Sequence, residues 1–281
     1  MFSTARPKPS RGPQALLASA LAAPMVFMSL PAAAQTTDNW RFQGAVNLYL
    51  PDIGGTTAFP ILPAGSGDAV VDAQTIIDNL KMAFMGSFEA SKGQWGLFTD
   101  VLYMDVGNTK SGFREISIGG LPIPAGANAK VDYDLKGWGW TLAGTWHAVP
   151  DPAATLDVLA GARWLDITQT LGWDITGNVG AIPVPGRAGT SKVELSNWDG
   201  IVGVKGRLAL GADRKWFVPY YLDVGAGQSK LTWQAVGGVG YSFQWGDVVG
   251  SWRYLDYQMK SGNAIQTLTF NGPLISAVFR W

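Results

Sequence analysis

From Asn39 onward the chain alternates between apolar and polar residues. In "NWRFQGAVNLYL", Trp40, Phe42, Val46, Leu48 and Leu50 share one side of an extended chain, and Arg41, Gln43, Ala45, Asn47 and Tyr49 the other. "LTWQAVGGVGYSFQ" sets Leu231, Trp233, Ala235, Val239, Tyr241 and Phe243 against Thr232, Gln234, Ser242 and Gln244. "LKMAFMGSFEA" sets Leu80, Met82, Phe84 and Phe88 against Lys81, Ser87 and Glu89. The last residues repeat the device: Ile275, Ala277, Phe279 and Trp281 oppose Leu274, Ser276, Val278 and Arg280. Period-2 stretches of this kind fall at 39–50, 80–91, 95–107, 131–148, 155–172, 191–210, 216–227, 230–244, 247–260 and 265–281. They run well beyond the ~5–6 residues of an average soluble strand. They match the roughly 9–11 residues that a tilted strand needs to cross a bilayer.

The connectors alternate too. "SKGQ", "VPDPAA", "GADRK" and "WGD" are short and carry turn residues. On the other side, 51–79, 108–130 and 173–190 read as long loops rich in Gly, Pro, Thr and Asn, while the connections near Gln228 and Gly262 are short. Short turns on one side and long loops on the other predict a single antiparallel, up-and-down, all-β transmembrane barrel. The count is ten strands, with eight or twelve as alternatives, and an even count places both termini on the short-turn side. Trp40, Trp95, Trp146, Trp216, Trp245 and Trp281 all fall at the short-turn strand ends, as an interfacial aromatic girdle requires. Within the first long loop, "DAVVDAQTIIDN" suits either a short helix or a continued strand.

Composition narrows the setting. Arg6, Lys8 and Arg11 precede the apolar "ALLASALAAPMVFMSL", and Ala32 and Ala34 suit a small-x-small cleavage site. This is the layout of a secretory signal peptide over 1–34, with the barrel over 35–281. Removing those three bases leaves an acidic excess of three, which speaks against nucleic acid as a partner. There is no cysteine, and charged residues make up only 15% of the chain. No segment after the leader approaches the run of ~18 apolar residues that a spanning helix needs. A barrel is the remaining structure that satisfies its backbone inside lipid.

The leader, the alternating strands and the aromatic C-terminal strand together resemble the small outer-membrane β-barrels of Gram-negative bacteria, the OmpA and OmpW kind. The resemblance implies outer-membrane lipid as surroundings, periplasmic termini, a monomer, and recognition of the terminal strand, through Phe279 and Trp281, by the barrel-assembly machinery. In that class the last residue is usually Phe, and Trp281 is a variant of it.

Candidate chemistry is sparse. The sole histidine, His147 in "GTWHAVPDP", sits beside a short turn and lacks an evident nucleophile or companion metal ligands. "GAGQSK" lacks the Gly-Lys-Ser/Thr ending of a phosphate loop and reads as a hairpin, and "GGVG" at 237–240 as close packing within a strand. No cofactor is expected. Asp134, Lys136, Lys192 and Glu194 read as a solvated rim at the long-loop strand ends. Parity turns Glu89, Asp100, Asp157 and Asp223 inward as the only acids, with Arg41, Lys81, Arg163, Lys205, Arg207, Arg253 and Arg280. The expectation is a lumen filled by charge pairs in a non-enzymatic envelope protein that acts through its long loops. A narrow pore with a basic bias, favouring anions, is the alternative, and a barrel enzyme acting on lipid or peptide the third.

Overall fold

The structure, a computed structural model, describes residues 39–59, 67–71, 80–108, 127–179 and 182–281. The expected leader at 1–34, the remainder of the first two long loops, Lys110, and the Lys81 side chain lie outside the described residues. Among the described residues twelve strands form: β1 (Trp40–Tyr49), β2 (Asp52–Thr57), β3 (Gly67–Val71), β4 (Leu80–Lys92), β5 (Trp95–Asn108), β6 (Ala127–Pro150), β7 (Ala154–Val179), β8 (Ile182–Leu210), β9 (Trp216–Gly227), β10 (Ser229–Ser242), β11 (Gly246–Met259) and β12 (Ile265–Arg280). From β4 to β12 each strand pairs antiparallel with the next, β1 pairs with β4, and β12 returns to β1. Ten strands thus close the barrel. β2 continues β1 along β12, and β3 adds to β2. The "DAVV" segment is therefore strand.

Why β1 breaks is legible at Pro51, which has no N–H to give a ladder. Leu50 donates to Pro273 O at 3.2 Å, and β2 resumes at Asp52, paired with Asn271. Opposite the break lies Gly272. A Cβ there would stand 2.4 Å from Leu50 O, so the backbones meet only because Gly272 has none. In "GGVG", Gly240 leaves room that the Phe217 ring fills.

The outer wall carries the apolar residues. Val46, Leu48, Phe84, Val202 and Ile275 are each more than half exposed, as only a lipid-facing wall tolerates in bulk. All six tryptophans of the short-turn girdle are exposed on this wall. A second belt stands nearer the long loops: Trp138, Trp140, Trp164, Trp198, Trp233 and Trp252. Trp164 stacks on Trp198, and Trp233 on Tyr254. Their indole N–H groups find partners on the wall: Trp140 donates to Thr99 at 2.8 Å and Trp252 to Asn271 at 2.7 Å. From Trp138 to Trp146 is roughly 20 Å along the barrel axis, at ~3.3 Å per residue and ~40° tilt. That approaches the ~25 Å apolar height of a membrane barrel.

Beyond the second belt the strands reverse their polarity. On β8, Val202 and Leu208 face out below Trp198, with Lys205 and Arg207 inside. Above it, Lys192, Glu194 and Ser196 face out, and Val193 is buried within. On β7 the inward Asp157 and Arg163 give way to Leu165, Ile167 and Leu171. Below the belt the solvent of the outer wall is lipid; above it, water. This reversal corrects the expectation that 173–190 is a loop. β6, β7 and β8 run to 24, 26 and 29 residues, and Val179 pairs with Ile182. The Gly- and Pro-rich composition suggested a loop, but a register shift between Ile175 and Gly177 lets the ladder pass Pro185 and Gly186. An apolar interior then supports the protruding sheet as it would a soluble barrel.

Candidate functional site in the barrel lumen

The lumen is layered. At the height of the second tryptophan belt, two arginines form a plug. Arg163, from β7, is 1% exposed, and Arg253, from β11, is 3% exposed. Arg163 pairs with Asp223 of β9 and donates to Thr141 of β6 at 3.3 Å and Thr232 of β10 at 3.2 Å. Arg253 pairs with Asp100 of β5 at 3.0 Å, donates to Gln234 of β10 at 2.9 Å, and lies over the Tyr49 ring of β1. The planar guanidinium, with donors on a fixed fork, reaches several strands at once. A cavity of about 20 Å³ remains between Arg163, Arg253, Asp100 and Tyr257, enough for a single water.

Above the plug the lumen is mainly apolar, with Thr57 hydrogen-bonded to Gln169 at 2.8 Å among the apolar side chains. Leu102, Met104, Leu135, Leu165, Ile167, Leu255, Leu268 and Phe270 pack into one core there. This corrects the picture of a lumen filled by charge throughout. The charges occupy only the membrane-level and short-turn parts, because there the outer wall has claimed the apolar residues.

Below the plug, at the short-turn end, a vestibule of about 790 Å³ opens. Lys205 crosses it to pair with Glu89 and lies 3.7 Å from Asp157. Asp157 in turn bonds His147 Nδ1 at 2.6 Å. Asp247 pairs with Arg280 and lies 3.8 Å from Arg207. Arg41 stands at the exposed mouth, with Gly93 O at 3.5 Å.

The structure therefore brings Glu89, Asp157 and Lys205 together in one cluster, Arg163 with Asp223, and Arg253 with Asp100. Arg207 joins an acid that parity reasoning left out, Asp247. Asp199 is a second buried acid left out, held by Asn197 and the Ser229 N–H. Both correct the expectation of four inward acids. The signal was present: Asp199 shares parity with Lys205, and Asp247 with Arg253. Asp247 sits where the "WGD" connector meets the 247–260 stretch. His147 lies at the short-turn end, and among the described residues no hydroxyl is hydrogen-bonded to it and no cluster suits a metal ion. At the rim, Lys136 lies 3.7 Å from Asp105, and Lys192 pairs with Glu194 in water.

No protein-family model and no curated protein matches the chain. Among solved structures, the chain is similar to the outer-membrane protease OmpT of Escherichia coli, at 8% identity and a TM-score of 0.43 over 89% of this chain and 98% of that one. It is also similar to the translocator domain of the autotransporter NalP of Neisseria meningitidis, at 15% identity and 0.35 over 90% and 91%. A third is Ail, the attachment invasion locus protein of Yersinia pestis, at 7% identity and 0.33 over 87% and 99%. The barrel stands on its own strand register, closed where β12 pairs with β1.

Proposed function

We propose that this chain is an exported outer-membrane barrel, residues 35–281, that does not conduct. It serves the envelope as a structural and contact element, and the tall β6–β8 sheet is its contact surface. The observation that carries this reading is the occluded lumen: two buried arginine–aspartate pairs span it at membrane level, and an apolar core fills it above. Outer-membrane lipid covers the wall between the two tryptophan belts. The leader directs export, the termini face the periplasm, and β12 is the strand offered to the assembly machinery. One copy suffices, since β12 closes on β1 within the chain.

The reading has a direct test. The protein fractionates with outer membranes and migrates faster unboiled than boiled on denaturing gels. Liposomes carrying it swell in small sugars no faster than empty ones. Recovery as soluble periplasmic protein overturns the location, and rapid swelling overturns the sealed lumen.

A further inference from the structure

The vestibule holds cations that the plug does not use. Lys205 is committed to Glu89 and Asp157. Arg207 is not committed. Its guanidinium rests over the Phe217 ring, 5.1 Å from the centroid, and among the described residues its one acidic partner is Asp247 at 3.8 Å. Among the described residues no hydrogen-bond acceptor is met by its fork, and it lines the open cavity.

Asp247 is shared. Arg280 takes both of its oxygens, and the Arg280 Nε donates to Gln43 at 3.3 Å. The Asp247 side chain lines the same cavity but is itself only 2% exposed, held beneath the two arginines. One carboxylate cannot neutralise two guanidiniums. The pair keeps a net positive charge, and the ring and the carboxylate fix where the unused N–H donors stand. A fixed guanidinium fork with spare donors is the arrangement that takes carboxylate or phosphate in bidentate fashion. The cavity volume lies within the ~300–1,000 Å³ of small-molecule sites.

We propose that the vestibule is an oxyanion-binding chamber, in which Arg207 and Arg280 hold the phosphoryl or carboxylate group of a small ligand and Asp247 is the positioning residue behind them. The site lies on the short-turn side of the plug, so it stands whether or not the lumen conducts.

The test is isothermal titration calorimetry on the full-length mature chain in detergent micelles at constant ionic strength, with sodium phosphate, sodium acetate and sodium chloride as probes. Saturable binding of phosphate or acetate above chloride is expected. Phosphate binding alone assigns a phosphoryl ligand, and acetate binding as tightly assigns a carboxylate. Arg207→Gln should weaken binding at least tenfold. Arg207→Lys keeps the charge and loses the fork, and should fall between. Lys215→Gln, an exposed cation on a neighbouring turn, should change affinity less than twofold. Faster migration of unboiled samples shows that each variant is folded, and if Arg207→Gln is not, Arg207→Lys carries the comparison. Binding no stronger than chloride, or equal affinity in wild type and the folded Arg207 variant, overturns the proposal.

Discussion

Arg253→Ala is expected to lower the unfolding free energy of the refolded barrel by about 3–5 kcal/mol, measured by denaturant titration in micelles. The charge is 3% exposed and faces Asp100 across the lumen. Deleting it leaves a buried carboxylate with no counter-charge, and that desolvation cost is the main part of the effect. The same argument applies to Arg163 and Asp223. Lys192→Ala removes an ion pair whose two side chains are 57% and 65% exposed. It should change stability by no more than about 0.5 kcal/mol. The sharper arm is the double replacement Arg253→Met with Asp100→Leu, which removes both charges and should recover most of the loss. If Arg253→Ala is as stable as Lys192→Ala, the plug is not a buried pair.

A larger effect is expected from deleting the last four residues, "VFRW". Those residues form the seam. Phe42 N donates to Trp281 O at 2.9 Å and Trp281 N to Phe42 O at 3.1 Å, while Phe279 faces Gly44 on one side and Gly246 on the other. Without them, the lower half of β1 and the start of β11 present unpaired N–H and C=O groups to lipid, at several kcal/mol each. The truncated chain should fail to reach the fast-migrating form and should be digested by added protease. Trp281→Phe keeps an aromatic ring beside Phe42 and Phe88 and should assemble normally. Normal assembly of the truncation would mean that closure rests on other strands.

Much of this was open to reading in the chain, and the reasons differ by region. At membrane level a barrel strand has only one arrangement that suits both lipid and lumen, so parity sorts its side chains. Trp233 faces out while Thr232 and Gln234 face in, as their alternation requires. The terminal strand obeys the same rule from Leu274 to Trp281. Above the second tryptophan belt the rule reverses. Lys192 and Glu194 are solvated, as a rim requires, but 173–190 reads as a loop, because a soluble barrel built on the same strands hides its apolar residues inside. Trp138, Trp140, Trp164 and Trp198 mark the height of the reversal, but the sequence reading identifies only the short-turn girdle. Pairing was not legible. Parity turned Arg253 and Asp100 inward, but only the closed register sets β11 opposite β5 and so joins these two residues. Asp247 was left out at the junction of connector and strand because strand ends are uncertain by a residue or two, and with it the reason why Arg207 and Arg280 share one acid.

The account rests most heavily on the seal across the lumen. Single-channel recording in a planar bilayer tests it directly, using the refolded wild type and the double variant Arg163→Ala with Arg253→Ala. The expected result is no steady conductance from the wild type, and none from the double variant either, because the apolar core above the plug still fills the lumen. A large, stable conductance from the wild-type barrel would contradict the seal.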